Sequence, residues 1–212
     1  MSMKKILLLA VLAVAATTAI AQNNTLREVG GFTIQPKAGI GLGIITVGEK
    51  VDSRKVKTGF VGGVDAEYYP TRWLGVSLGL NYARQAGKIK AYSPYAIMLP
   101  EQGYKLDYLN LPILANFYVA KGLSLKTGVQ PGILLGAKES SSLWPEEADI
   151  KGDCKKFNVS IPIGISYEIC NIVLDLRYNL SLSKFTEPSE SLMMNAPKSH
   201  LLMATIGYKF EL

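Results

Sequence analysis

The sequence predicts an all-β fold, namely an eight-stranded antiparallel up-and-down transmembrane β-barrel with short periplasmic turns and long extracellular loops. Three observations lead to this prediction. Eight segments alternate between apolar residues and small or polar residues, short turns alternate with long polar links, and the alternation continues to the C-terminal residue. No stretch after residue 21 contains eighteen uninterrupted apolar residues, so we predict no membrane-spanning helix.

The clearest alternation lies between Ser199 and Leu212. Residues at alternate positions, which form one parity of the strand, are apolar or aromatic, whereas the residues of the other parity are small, polar or charged. The apolar parity comprises Leu202, Ala204, Ile206, Tyr208, Phe210 and Leu212. A repeat of two residues indicates a strand whose two faces meet different solvents. Because the apolar parity runs to the C-terminus, the pattern is typical of the closing strand of a membrane barrel.

Seven earlier segments have the same pattern. They span about 33–47, 58–69, 73–84, 104–119, 122–136, 156–168 and 171–184. Each segment reaches the ~9–11 residues that a tilted transmembrane strand needs. Eight strands also close a barrel whose interior is just filled by side chains. Because hydrocarbon offers no water to an unpaired backbone group, the first strand is expected to pair with the last.

The links between the segments alternate in length. Short turns fall at 69–72, 120–122 and 170–171, and long polar links fall at 48–57, 85–103, 137–155 and 185–198. This alternation is the pattern of outer-membrane barrels, and an even strand number places both termini at the periplasmic end. Four prolines fall inside strand segments, where we expect β-bulges at some of them. These prolines are Pro36, Pro112, Pro131 and Pro162.

The N-terminal segment indicates export. Residues 1–21 combine Lys4 and Lys5 with an apolar run and a small-residue cleavage site, so they are predicted to be a cleaved signal peptide. Residues 22–212 then form a single barrel domain. Cleavage removes two lysines, which leaves 21 basic and 17 acidic residues. The basic residues are scattered along the chain, so we predict no nucleic-acid partner.

The inward parity carries nine charged residues, five acids and four bases. They are Lys37, Asp65, Glu67, Lys126, Glu168, Asp175, Arg177, Lys209 and Glu211. Such a balanced set can form ion pairs inside a narrow lumen, whereas a conducting pore would tolerate a ring of a single sign. We therefore predict a lumen that is filled with salt-bridged side chains.

Three short stretches resemble the PorT-like family of outer-membrane β-barrels. They are Pro36–Gly39, Asp107–Leu114 with its Tyr-Leu-x-x-Pro motif, and Gly207–Leu212. The resemblance implies a location in the Gram-negative outer membrane, with outer-membrane lipid and lipopolysaccharide around the barrel. It also implies insertion by the barrel-assembly machinery, although Leu212 stands where the preferred last residue is Phe. The resemblance assigns no substrate.

We predict no catalytic residue, cofactor or metal ligand. Cys154 and Cys170 belong to opposite ends of the predicted barrel, which rules out a disulfide between them because bridged Cα atoms lie within about 7 Å. His200, with Ser199 and Glu190, is the one arrangement that could suit a lipid A-modifying enzyme, and a solvated rim histidine explains it more simply.

The link at 85–103 is unusually apolar for exposed chain, and the link at 137–155 adds an aromatic and an acidic patch, so both suggest contact with an external partner. The candidate contact residues are Tyr92, Tyr95, Met98, Leu99 and Trp144. We therefore expect a monomeric structural or interaction protein that acts through its extracellular loops toward an extracellular or envelope protein. The alternatives are an accessory component of a secretion assembly, a small porin-like channel and a lipid A-modifying enzyme. These loops could also simply fold onto the barrel mouth.

Overall fold

The computed structural model describes residues 27–46, 55–89, 102–141, 148–183 and 198–212. Within these ranges, eleven strand segments form a single antiparallel sheet, and Lys151–Asp153 forms a 3₁₀ turn. The strands are β1 Phe32–Thr46, β2 Lys55–Tyr68, β3 Leu74–Ile89, β4 Gln102–Asn110, β5 Ile113–Ala120, β6 Leu123–Ser141, β7 Ala148–Asp149, β8 Phe157–Ile169, β9 Ile172–Ser181, β10 Lys198–Tyr208 and β11 Phe210–Glu211. Within the described ranges, no helix is long and apolar enough to cross a membrane.

The eleven segments make eight wall strands. β4 and β5 are two parts of the fourth wall strand, which is interrupted at Leu111 and Pro112, and β10 and β11 are two parts of the eighth. β7 is a short addition that pairs with β6 outside this ring. Each wall strand pairs with its neighbours in sequence, and β1 pairs with both β2 and β10. The predicted closed, eight-stranded, up-and-down barrel is therefore confirmed.

The predicted bulges at the prolines are wrong. Pro36, Pro131 and Pro162 sit in ladders whose register is unchanged on either side, and the pairings that flank Pro112 also keep one register. A proline removes only one N–H group, so the ladder loses a hydrogen bond without gaining a residue. The neighbouring bonds persist, for example from the Leu111 N–H to the Pro131 oxygen at 2.8 Å. The register shifts lie instead at 57–61, 107–108 and 118–120.

The two faces of the wall differ in the way that the alternation predicts. Outward side chains are large, apolar and exposed, as in Leu174 at 52% and Ile206 at 55% exposure. Inward side chains are buried, and they include most of the polar and charged residues of the strands, such as Asp175 and Arg177. Because the outer face is apolar around the whole ring, it matches the hydrocarbon core of a bilayer.

Aromatic side chains mark both edges of this apolar surface. Near the short turns, Trp73 stacks on Phe117 with ring centroids 6.2 Å apart. Toward the long links, Phe60 and Tyr82 form a pair at 6.5 Å. Aromatic residues at both membrane–water interfaces are characteristic of outer-membrane barrels.

The short turns are as predicted, whereas β3 and β6 extend further at the other end than predicted. Cys170 and Asn171 have φ values of 49° and 67°, the conformation of a type I′ hairpin turn. β3 and β6 continue to Ile89 and Ser141, so their hydrogen-bonded ladders extend into the links predicted at 85–103 and 137–155. The candidate contact residues lie outside the described ranges. These are Tyr92, Tyr95, Met98, Leu99 and Trp144.

The described part of the third long link folds back onto the barrel. The Ile150 N–H donates to the Ala137 oxygen at 3.0 Å, and Cys154 is buried against Leu106, Tyr108 and Leu134. The interpretation that long links fold onto the barrel mouth therefore holds for residues 148–156.

Candidate functional site

The lumen contains eight of the nine charged residues that the inward parity predicted. They are Lys37, Asp65, Glu67, Lys126, Glu168, Asp175, Arg177 and Lys209. They come from five strands and from the break between β10 and β11, and they meet because inward positions at the same height face one another across a narrow barrel. The structure separates them into a central cluster and a periplasmic cluster.

The central cluster consists of Lys37, Asp65, Lys126, Asp175 and Arg177. Lys37 forms an ion pair with Asp65, and the Lys126 Nζ lies 2.7 Å from the Asp175 Oδ2. The Arg177 Nη2 contacts both carboxylates, at 3.1 Å from the Asp175 Oδ2 and 3.8 Å from the Asp65 Oδ2. Every one of these side chains is at most 6% exposed. The barrel is therefore blocked at mid-height by paired ions.

Glycines in the wall create the space for these ions. A Cβ on Gly79 would lie 2.0 Å from the Asp65 Oδ1, and a Cβ on Gly75 would lie 2.1 Å from the Glu67 Oε1. Gly164 pairs with Lys126 on one side and with Arg177 on the other. A longer side chain at any of these wall positions would displace a charged group. The positions of the inward charges therefore depend on the inward glycines.

The periplasmic cluster lies one layer closer to the short turns and begins with Lys209. The Lys209 Nζ is 3.2 Å from the Glu67 Oε2 and 3.0 Å from the Glu168 Oε2. The Tyr118 hydroxyl donates to the Glu67 Oε1 at 2.8 Å, and the Asn116 amide donates to the same oxygen at 2.7 Å. The Tyr69 hydroxyl donates to the Glu67 Oε2 at 3.2 Å, so Glu67 accepts hydrogen bonds from three neutral side chains in addition to its ion pair.

Arg27, which precedes β1, completes the periplasmic cluster. It forms an ion pair with Glu168, and its guanidinium lies over the rings of Tyr118 and Tyr69 at 4.8 and 5.3 Å. Burial opposes the charge of Arg27, yet its hydrogen bond to Glu168 and the two phenols raise its pKa above the ordinary value. The sequence analysis missed this residue because it lies outside every alternating segment, so no pattern marked it.

Glu211 is the one predicted lumen residue that is not inside. It pairs with Thr33 and keeps the inward parity, but its side chain is exposed. The reason is its position at the end of the last strand, beyond Lys209, where the wall stops and water reaches the interior. Together with Arg27 and Tyr69 it lines a depression at the periplasmic mouth.

The extracellular half of the lumen contains two buried clusters of apolar side chains, beside buried polar side chains such as Asn158, Ser181 and His200. One buried cluster comprises Val61, Ala83, Leu201 and Met203, and the other comprises Leu106, Tyr108, Leu134, Ala137 and Cys154. The sequence analysis did not separate the two halves of the lumen, although the inward parity contains residues such as Val61, Tyr108 and Met203. The lumen is thus blocked by ions at mid-height and at the periplasmic end, and by buried apolar and polar side chains toward the outside.

Of the three residues in the candidate catalytic arrangement, the structure describes the side chain of His200 alone. The interpretation of His200 as a solvated rim histidine is wrong, because the side chain is buried, stacks on Tyr178 with centroids 6.0 Å apart, and accepts a hydrogen bond from the Ser181 N–H at Nδ1. Glu190 and the side chain of Ser199 lie outside the described part of the chain. Residues 27–46, 55–89, 102–141, 148–183 and 198–212 contain no group of three potential metal ligands.

The two cysteines are not disulfide-bonded. Cys154 is buried near the long links, and Cys170 is exposed in a short turn at the other end. The predicted placement of the two cysteines at opposite ends of the barrel is confirmed.

An apolar outer surface, a closed eight-stranded wall and a lumen filled with ions define an integral outer-membrane β-barrel protein. Comparison with known families agrees, because the model described as "Outer membrane protein beta-barrel domain" matches residues 20–187. The chain belongs to this family, and it is a protein of the Gram-negative outer membrane.

Solved structures support the fold. Neisserial surface protein A (NspA) is 16% identical, with 84% of this chain and 97% of that chain covered and a TM-score of 0.50. Ail, the attachment invasion locus protein of Yersinia pestis, is 20% identical, with 86% and 100% covered and a TM-score of 0.51. A search among curated proteins finds no match to this chain.

Proposed function

We propose that this protein is a sealed, non-enzymatic barrel that acts as a structural or interaction protein through its extracellular end. The observation that carries the proposal is the central cluster, whose five side chains are at most 6% exposed. A conducting pore needs a continuous path of water along polar lining groups. A lumen that is blocked by ions and by packed apolar residues leaves the two ends of the barrel as the surfaces available for function.

The extracellular end offers the better surface for a partner. β3 and β6 contain 16 and 19 residues, well beyond the ~9–11 that a tilted strand needs to cross the membrane. Their ladders therefore extend beyond the hydrocarbon core on the side of the links at 90–101 and 142–147. These links contain the apolar candidates from the sequence analysis, namely Tyr92, Tyr95, Met98, Leu99 and Trp144. Aromatic and Met side chains are enriched at protein interfaces.

Charge at the same end suggests a first ligand to test. Lys138, Lys151, Lys155 and Lys156 are exposed near β7 and the 3₁₀ turn. The Ail structure was determined in complex with the heparin analogue sucrose octasulfate. A sulfated glycan is therefore a suitable probe beside protein partners.

The test compares intact protein with a variant in which residues 90–101 are replaced by a short Gly/Ser link. The matched control shortens residues 184–197 by the same number of residues. Both purified barrels are used to capture envelope proteins and an immobilised sulfated glycan. We expect capture by the intact protein and by the control, and a loss of at least tenfold on shortening 90–101. Equal capture by all three forms would contradict the proposed role of this link.

Single-channel recording tests the sealed lumen directly. We expect no unitary conductance steps when the protein is inserted into a planar bilayer. Regular steps with ion selectivity would instead support the small-channel alternative. Unchanged lipid A mass spectra after expression would agree with the proposed absence of enzymatic activity, and a new lipid A species would contradict it.

The PorT-like resemblance supports a second candidate, an accessory component of a secretion assembly. Its Asp107–Leu114 stretch forms the junction of β4 and β5, where Asp107 faces outward and pairs with Arg84. A charged pair on the outer wall could contact a neighbouring membrane subunit. Co-purification of large envelope proteins that is lost in an Arg84→Ala variant, and kept when the 90–101 link is shortened, would favour this candidate over the first.

The proposed surroundings of the barrel follow from its outer face. Outer-membrane lipid and lipopolysaccharide would contact the apolar surface, and the barrel-assembly machinery would insert the chain after cleavage of residues 1–21. We propose that the protein is a monomer. A measurement of its molar mass in detergent by light scattering tests this proposal.

A further inference from the structure

The central cluster contains more positive than negative charge. Its cations are Lys37, Lys126 and Arg177, and its anions are Asp65 and Asp175. The periplasmic cluster does not compensate for the difference, because Arg27 and Lys209 there face the same number of carboxylates, Glu67 and Glu168. Among the described residues of the two clusters, one cation therefore has no carboxylate of its own.

The contacts identify Arg177 as that cation. Lys37 and Lys126 each have an aspartate as a direct partner, whereas Arg177 shares both aspartates and reaches them through Nη2 alone. Its Nε and Nη1 are buried and have no hydrogen-bond partner among the described residues. The side chain is 0% exposed, so bulk water does not reach these donors.

An uncompensated ion at this depth is costly. Burial of a charge without a counter-charge is strongly unfavourable, and unpaired buried donors add a desolvation penalty. A single bound anion would remove both penalties, because it supplies the missing charge and accepts the N–H groups of Nε and Nη1. A neutral water molecule would satisfy the donors without balancing the charge.

We propose that the lumen holds one small monovalent anion, a halide such as chloride, against the Nε and Nη1 atoms of Arg177. The wall residue opposite Arg177 in β8 is Gly164, and Lys126 of β6 lies on the other side of that glycine. The Arg177 Cγ takes the space beside this glycine, since a Cβ on Gly164 would lie 3.2 Å from it. The Lys126 Nζ and the Arg177 Nη2 contact the same Asp175 oxygen, so a second cation lies close to the guanidinium. Because the side chains of the central cluster are at most 6% exposed, we restrict the proposal to a small spherical ion. This site is independent of the proposed role of the extracellular loops.

The first experiment measures thermal unfolding of the detergent-solubilised wild-type protein in sodium chloride, sodium bromide and sodium gluconate at equal ionic strength. We expect the unfolding temperature to rise with chloride or bromide along a saturating curve and to show no such curve with gluconate. In crystals soaked in bromide, we expect an anomalous difference peak beside the Arg177 Nε and Nη1.

The variants separate a lumen site from a general salt effect. Lys37→Met and Lys126→Met each leave two cations and two carboxylates in the central cluster, so each is expected to abolish the halide dependence. The matched control, Lys121→Met, removes the same charge from an exposed short turn and is expected to retain it. If one lumen variant fails to fold, the other and the bromide peak in the wild type decide the question. The proposal is overturned if the unfolding temperature does not depend on halide and no bromide peak is found, which would mean that the site holds ordered water only. It is also overturned if the halide dependence persists in the folded lumen variants.

Discussion

The clearest test of the ionic lumen is the substitution Asp175→Asn. It preserves the shape of the side chain and removes the carboxylate that the Lys126 Nζ contacts at 2.7 Å and the Arg177 Nη2 contacts at 3.1 Å. Three cations would then face the single carboxylate of Asp65. Removal of one partner from a buried ion pair leaves an uncompensated charge and costs about 3–5 kcal/mol. We therefore expect the free energy of unfolding to fall by this amount.

The assay is reversible urea unfolding in lipid vesicles, followed by tryptophan fluorescence and by the gel mobility of the folded barrel. The matched control is Asp107→Asn on the outer wall. Asp107 accepts two hydrogen bonds from Arg84, at 2.7 and 3.1 Å, but the Arg84 side chain is 48% exposed. An exposed pair contributes about 0–1 kcal/mol, so the control is expected to lose little stability.

A second substitution refines the test. Lys126→Met in the Asp175→Asn background removes one of the two cations left without a carboxylate, so it is expected to recover part of the lost stability. If Asp175→Asn costs no more than the Asp107→Asn control, the central cluster is hydrated in solution and the sealed lumen is refuted.

Three further predictions concern other parts of the barrel. Gly79→Ala places a Cβ 2.0 Å from a carboxylate oxygen and is expected to lower the free energy of unfolding by about 2 kcal/mol. The control is Gly136→Ala, whose Cβ would have its nearest contact at 3.7 Å. This control should change the free energy of unfolding in urea by less than about 0.5 kcal/mol. Leu176→Arg puts a charge on the lipid face and should cost about 2–4 kcal/mol in vesicle unfolding. Arg27→Ala removes the ion pair of Arg27 with Glu168 in the periplasmic cluster and should increase hydrogen exchange at that end of the barrel. Planar-bilayer recordings of this variant should show no conductance steps, because the central cluster remains. Conductance steps would contradict the inference that the central cluster blocks the lumen by itself.

Residue alternation was sufficient to predict most of the fold. Successive side chains of a strand point to opposite faces, so a difference in solvent between the two faces of the wall appears as an alternation of side-chain types along the sequence. The alternation therefore located the eight wall strands, the lipid-facing side chains such as Leu174 and the inward side chains such as Arg177. The demand that every backbone group be paired in hydrocarbon predicted the closure between the first and the last strand.

Local patterns failed where a residue's surroundings depend on distant parts of the chain. The four strand prolines keep their register because neighbouring strands hold it, which alternation does not reveal. Glu211 has the inward parity but lies beyond the end of the wall, where its side chain is exposed. Arg27 belongs to no strand, yet its side chain forms an ion pair in the periplasmic cluster.

The sequence by itself determined which side chains point into the barrel, because parity is a local property of a strand. Only the tertiary structure decided which of them meet. The pairing of Lys126 with Asp175, the sharing of both aspartates by Arg177 and the glycine at position 79 that makes room for Asp65 all depend on strand register and on the width of the closed ring. Register and width arise from the pairing of all eight wall strands, so no single segment contains them.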